Sequence, residues 1–204
     1  MDELIGLFPV PCAVFTYKND IKEETKFIEN LQYEKNNGNI QLKTADTFIL
    51  RNKELEKISN FIKDSLKEYA VRVLATDQPI YVTQSWCNKN SKGAIHHRHS
   101  HPNSLVSGVF YIRIDDSAPI LFHNTQNALV IEPIKHHEFN NQAYGLKMKS
   151  AELILFPSHL EHSVPENKSD MERISLSFNT FLDGILGKEK NLTYLNVKEV
   201  ANVW

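Results

Sequence analysis

Apolar positions in the first third of the chain fall at helical spacing. Leu55, Ile58, Phe61, Ile62, Leu66 and Tyr69 recur in steps of three and four, with Lys and Glu between them. That spacing puts one apolar stripe on one helix face and predicts a helix over roughly residues 53–70. A looser stripe, Ile21, Phe27, Ile28 and Leu31 among charges, predicts a second helix over 20–35, closed by a turn at Asn37-Gly38-Asn39. After Asp77-Gln78-Pro79 the pattern changes. Segments become short, β-branched or aromatic, and bounded by turn residues. Strands are predicted at 80–88, 104–114, 119–123, 128–132, 146–149, 151–156, 160–163 and 172–181.

Eight short strands following helices suggest a mainly β (α+β) fold. The architecture expected is a β-sandwich or jelly roll, with the N-terminal helices buttressing one sheet. The 204 residues are read as one domain. Residues 1–76 form its helical N-terminal part, 77–182 the jelly-roll core and 183–204 a tail that either returns as a helix or covers an edge.

Composition narrows the function classes. Hydrophobic residues make up 41% and charged residues 24%, which fits a folded globular chain. With 23 Lys plus Arg against 25 Asp plus Glu, there is no electrostatic reason to expect nucleic acid or an anionic membrane as partner. No apolar run approaches a membrane span. The start Met1-Asp2-Glu3 does not resemble a secretory leader, and the two cysteines, Cys12 and Cys87, form no CxxC pair. A cytoplasmic location is therefore expected.

Histidine changes the picture. Four of the nine histidines, His96, His97, His99 and His101, lie within six residues. Side chains two apart on an extended strand share one side, so His99 and His101 can offer two nitrogens to one ion. His162, just before the turn Pro165-Glu166-Asn167-Lys168, is the best third ligand. Read separately, His96 and His97 are more simply solvated, as is the pair His136-His137 in a polar loop. Arginine is scarce, with five residues, and Arg173 follows His162 by 11 positions. Arg173, Ser175 and Ser177 alternate with Ile174, Leu176 and Phe178, giving one polar and one apolar face. If His162 lay on the neighbouring strand of a hairpin, a chelating guest with a distal carboxylate would fit between metal and guanidinium. Trp86 and Asn88 could line such a pocket, although Trp86 is more simply core.

Three blocks occur in order: His99-Ser-His101-Pro102-Asn-Ser-Leu-Val-Ser107-Gly108-Val109-Phe-Tyr111, then Leu155-Phe156-Pro157-Ser158-His-Leu160-Glu-His162-Ser-Val164-Pro165, then Arg173-Ile174-Ser175-Leu-Ser177-Phe178-Asn179. Over residues 80–182 the chain resembles a group of 2-oxoglutarate- and iron(II)-dependent oxygenases met in bacteria and bacteriophages. The resemblance implies a double-stranded β-helix, the cupin-like jelly roll, with Fe(II) and 2-oxoglutarate as cofactors. It implies that His99, His101 and His162 are the metal-holding catalytic residues. Arg173 would hold the far carboxylate of 2-oxoglutarate, with Ser175 and Tyr111 beside it. The activity implied is that of a dioxygenase, a hydroxylase coupling oxidative decarboxylation of 2-oxoglutarate to C–H oxidation of a small molecule or peptide.

One position departs from the family pattern. His101 stands where relatives carry Asp or Glu, so the ligand set is neutral, and zinc, nickel or copper also accept imidazole nitrogen. Asp115 and Asp116 lie too far along the next strand to replace the missing carboxylate. Two further readings stay open: a cupin-type metal enzyme that does not use 2-oxoglutarate, and a non-catalytic β-sandwich binding module. Arg173 separates the first of these from the oxygenase. Substrate identity and oligomeric state are not legible.

Overall fold

The apolar stripe of the helix predicted over 53–70 is what anchors the fold. In a computed structural model, which describes residues 2–36, 40–115, 119–125 and 132–197, this helix runs Glu56–Arg72 (α2). Two 3-10 turns, Ile49–Arg51 and Lys53–Leu55, lead into it. Ile58, Ile62, Leu66, Tyr69 and Ala70 are buried on one face. The other predicted helix is shorter than its apolar pattern suggested. It covers only Lys22–Glu29 (α1), and Tyr33–Lys35 is already a strand (β2) paired with Leu42–Thr44 (β3). The Tyr33 hydroxyl donates to the Ile28 carbonyl at 2.9 Å, tying this strand back onto the helix end. Cross-strand pairing overrides a weak helical pattern there. The predicted turn at 37–39 lies outside the described residues.

The remaining strands are Ala13–Thr16 (β1), Ile80–Asn90 (β4), His96–His99 (β5), Val106–Arg113 (β6), Ile120–His123 (β7), Ala143–Leu146 (β8), Glu152–Pro157 (β9), His162–Val164 (β10) and Arg173–Leu182 (β11). The C-terminal segment adds a small hairpin, Ile185–Leu186 (β12) and Leu195–Asn196 (β13), with a 3-10 turn, Glu189–Asn191, between them, so within 183–197 it forms no α-helix and no strand of the two main sheets. The predicted strand at 146–149 sits three residues earlier, where β8 pairs with β7 from Ile120↔Leu146 to His123↔Ala143. The predicted strand at 128–132 falls almost wholly outside the described residues.

Two sheets face each other. The larger has the order β1-β9-β6-β11-β4-β3-β2, the smaller β5-β10-β7-β8. This is the expected mainly β jelly roll with helices on one sheet. The sheets produce two cores, because successive side chains of a strand point to opposite faces. Ile174, Leu176 and Phe178 of β11, with Cys87, Phe110, Leu153 and Leu155, pack outward against α2 and its neighbours. A second core inside the sandwich holds Tyr111, Ile120, Phe122, Met148, Ile154 and Phe156. The polar face of β11 also lies inside: Arg173, Ser175 and Ser177 are all buried.

Gly108 is a packing requirement of the outer core. It lies opposite Phe178 in the β6–β11 register, and an added Cβ would fall 2.1 Å from Phe178 Cζ. Phe178 is fully buried and has no free volume to yield. Gly108→Ala should cost about 2–3 kcal/mol through overpacking, lowering Tm by roughly 5–10 °C in a chain of this size. An unchanged melting curve would show that this contact does not constrain the core.

Candidate active site

Each of the three candidate histidines reaches the site from a different local setting. His162 opens β10 and is flanked by two strands, paired with His99 of β5 and Phe122 of β7. It is 5% exposed, with the Phe156 ring 4.8 Å away edge-on. His99 closes β5. His101 lies beyond the strand end, and its backbone N–H donates to the Ser158 carbonyl at 2.9 Å. The two are therefore not neighbours on one regular strand, as the HxH spacing suggested. The chain leaves β5 before Pro102, and the tie to Ser158 aims His101.

The three rings nevertheless converge. One ligand nitrogen from each of His99, His101 and His162 lies within 4.8 Å of the other two. His101 and His162 rings stack nearly parallel, 7° apart, with their Nε2 atoms 3.2 Å from each other. His162 Nδ1 donates to the Leu160 carbonyl at 3.0 Å, and His99 Nδ1 to the His97 carbonyl at 2.8 Å. A proton held at Nδ1 leaves the Nε2 lone pair free, which is the tautomer a metal needs. Burial pulls His162 down to about 3 and His101 to about 4, and lowers His99 as well. All three imidazoles are thus neutral near pH 7 and bind a cation without first losing a proton. No carboxylate joins the group among the described residues. Asp115 instead acts electrostatically on Arg173, and Asp116 lies outside the described residues.

Arg173 is 6% exposed, on the interior face of β11. Here the structure corrects the sequence picture. His162 and Arg173 are not on a hairpin: β10 belongs to the smaller sheet and β11 to the larger. Residues 165–172 cross between the sheets, so the candidate ligand His162 and the Arg173 guanidinium belong to opposite walls of the sandwich. The guanidinium carbon sits 5.2 Å over the Tyr111 ring. Burial lowers the Arg173 pKa, while Tyr111 and Asp115 favour its charged form. Burial raises the Tyr111 phenol, against the pull of Arg173.

The interior wall around Arg173 is polar. Ser175 stands between Tyr111 and Asn88 in the cross-strand register. Asn88 Oδ1 is buried and meets no hydrogen-bond donor, and the buried Tyr111 hydroxyl leans on the Arg173 guanidinium alone, with its proton still to be placed. Unmet buried polar atoms carry a desolvation cost, so they mark where a polar guest belongs. The Tyr111 hydroxyl can donate to a carboxylate. Asn88 Nδ2 meets the Ser177 hydroxyl at 3.2 Å. That hydroxyl can equally donate, so a flipped amide would turn Nδ2 toward the guest.

Two expectations about neighbouring residues change. His96 is not a solvated surface residue: it is half-buried and stacks on His99 with centroids 4.5 Å apart. Trp86 is not core: it is half-exposed, 6.1 Å from the His101 ring. Its place inside the sandwich follows from the β4 alternation that also buries Asn88 and Asn90. His97, His136 and His137 are exposed, as expected. Gln41 and Asn90 also line the interior, with no signal in the local sequence to single them out.

Residues 84–179 match the model of a family described as "Putative 2OG-Fe(II) oxygenase". Over this stretch the chain is similar to the 2OG-Fe(II) oxygenases. It contains His99, His101, His162 and Arg173. Solved structures share the fold at low identity. An oxidoreductase of the 2OG-Fe(II) oxygenase family from Burkholderia pseudomallei is 13% identical, with a TM-score of 0.61 and 83% of each chain covered. HygX from Streptomyces hygroscopicus, solved with nickel and 2-oxoglutarate, is 11% identical with a TM-score of 0.60, covering 84% of this chain and 82% of its own; it has also been solved with hygromycin B. SnoN, the non-heme α-ketoglutarate-dependent epimerase of nogalamycin biosynthesis, is 10% identical with a TM-score of 0.62, covering 86% of this chain and 77% of its own. No curated protein matches the sequence. The donor set here suits the iron and 2-oxoglutarate named for that family: neutral nitrogens for a metal, and a buried cation with hydroxyl donors for a dicarboxylate.

Proposed function

We propose that the protein is a 2-oxoglutarate- and Fe(II)-dependent hydroxylase of a small organic molecule or peptide, with the helical part, the jelly roll and the tail acting as one domain. His99, His101 and His162 hold the iron. Arg173, Ser175 and Tyr111 hold 2-oxoglutarate. The observation that carries this reading is the placement of three converging imidazoles on one side of the sandwich and a buried guanidinium on the other. A cupin-type enzyme without 2-oxoglutarate has no use for a cation buried in that position.

Together the bound cofactors supply the oxidising power, with 2-oxoglutarate and dioxygen consumed and succinate and carbon dioxide formed as a C–H bond is oxidised. The chain's own residues do the rest. Neutral imidazoles leave the metal's charge undiminished, which favours an anionic chelator. Arg173 presents a fork to the far carboxylate, giving charge-assisted hydrogen bonds of fixed orientation. The Tyr111 and Ser175 hydroxyls complete that contact. Phe122 and Phe156 pack around His162 and limit water at the site. The half-exposed Trp86 beside His101 offers a flat wall to the substrate.

The small-molecule assignment is supported by HygX, solved with hygromycin B. The near-balanced charge supports a partner other than nucleic acid. No described helix is long and apolar enough to cross a membrane, and a cytoplasmic location is part of the same proposal. The test is direct: anaerobic protein with iron(II) and 2-oxoglutarate should develop a weak visible charge-transfer band. Admitting dioxygen should then release succinate. Failure of the band to form would overturn chelation at this site.

A further inference from the structure

A fourth histidine stands beside the three converging ones without joining them. His96 opens β5, across from Val164 of β10. Its ring lies against His99 at 4.5 Å with only 19° between planes. Its nitrogens are not among those that converge. Instead, Nδ1 lies 3.2 Å from Gln41 Nε2. Gln41 is 1% exposed, and its Oε1 lies 3.3 Å from Asn36 Nδ2, in the amide orientation that turns its nitrogen toward His96. A neutral imidazole that accepts at Nδ1 carries its proton at Nε2. His96 Nε2–H is therefore a donor of fixed direction, aimed away from Gln41.

Strand register says what lies on that side. Leu42 of β3 faces Lys89 of β4, which sets Gln41 next to Asn90, and Asn90 faces Arg173. Gln41, Asn90 and Arg173 form one buried row across the larger sheet, at 1%, 4% and 6% exposure. At about 4.8 Å per strand, Gln41 lies roughly 10 Å from Arg173 along this wall. His96 is tied to that row at one end and stacked on a metal-site histidine at the other. It thus flanks the space between the triad and Arg173.

We propose that His96 is a co-substrate-binding histidine whose Nε2–H donates to a carboxylate oxygen of 2-oxoglutarate, with Gln41 fixing its tautomer. This rests on the hydroxylase reading above and deepens it. The test uses iron(II)-loaded protein under anaerobic conditions, titrated with 2-oxoglutarate, with iron(II) affinity measured separately. His96→Phe keeps a flat ring against His99 but removes the donor. Its 2-oxoglutarate Kd should rise about tenfold with iron affinity unchanged, and KM for 2-oxoglutarate should rise while kcat holds. His96→Gln, which restores a donor, should return to within about threefold of wild type.

Unchanged 2-oxoglutarate affinity in His96→Phe, in an assay where Arg173→Met is weakened, overturns the role of His96 alone. Unchanged affinity in Arg173→Met as well overturns the underlying reading. Parallel loss of iron in His96→Phe also overturns the proposal, since the residue would then act through His99. If His96→Phe does not fold, Gln41→Leu tests the same link by releasing the tautomer. It should weaken 2-oxoglutarate about threefold with iron binding intact, and no loss there overturns the proposal.

Discussion

His162→Ala purifies without iron, and its iron(II) affinity falls by more than 100-fold. The expectation follows from the position of the ring. His162 is the most buried of the three candidate ligands and is paired on both sides, to β5 and β7. Its Nδ1 contact to Leu160 fixes the ligand nitrogen within 3.2 Å of that of His101. Loss of a partner that merely orients a ligand costs 10–100-fold in metal affinity, and removal of the ligand itself should exceed that range. Two histidines then remain, with no carboxylate among the described residues to replace the third. His136→Ala, exposed in its loop, should retain full iron content. Metal analysis of both purified variants, with thermal melts to confirm folding, decides the matter. Wild-type iron in His162→Ala would remove this ligand from the site.

Arg173→Met should raise the Kd for 2-oxoglutarate about 100-fold while leaving iron affinity within about twofold of wild type. The magnitude comes from the loss of a two-pronged, charge-assisted contact, about 2.7 kcal/mol in all. A methionine of similar length fills the buried space without supplying a donor, so the effect reports on charge and hydrogen bonding more than on packing. Lysine should rescue only in part, because a single ammonium does not reproduce the planar fork. Titration of 2-oxoglutarate into iron(II)-loaded protein under anaerobic conditions measures both variants. Equal affinity for wild type and Arg173→Met would exclude this arginine from co-substrate binding. A parallel loss of iron would mean that Arg173 supports the metal site instead.

Much of the candidate site was legible before any coordinates. The His99–His101 spacing, His162 near a turn and the polar–apolar alternation after Arg173 are local patterns, and each marks residues that the fold brings inside the sandwich. Helix α2 was legible for the same reason, since its stripe is set by a 3.6-residue period that needs no partner. The short N-terminal strands were not. β2 and β3 have three residues each, and their pairing depends on a neighbour distant in sequence. The α1 pattern misled because Leu31 packs into the same core that a continuing helix would reach, but from a bend beyond the helix end.

The sequence alone determined which chemistry was available: a surplus of imidazole in one short stretch, one arginine in an alternating strand, and a balance of charge that favours neither polyanions nor membranes. Only the tertiary structure decided which sides of the cavity these groups occupy. His162 and Arg173 are 11 residues apart in the chain, yet they belong to different sheets because residues 165–172 cross over. His96, solvated by local reading, is drawn inside by Gln41, 55 positions away. Trp86 lies beside His101 because its strand turns that face inward. Side-chain alternation is a local property of the backbone, whereas which sheet a face meets is set by strand pairing between distant segments, and no local pattern encodes that choice.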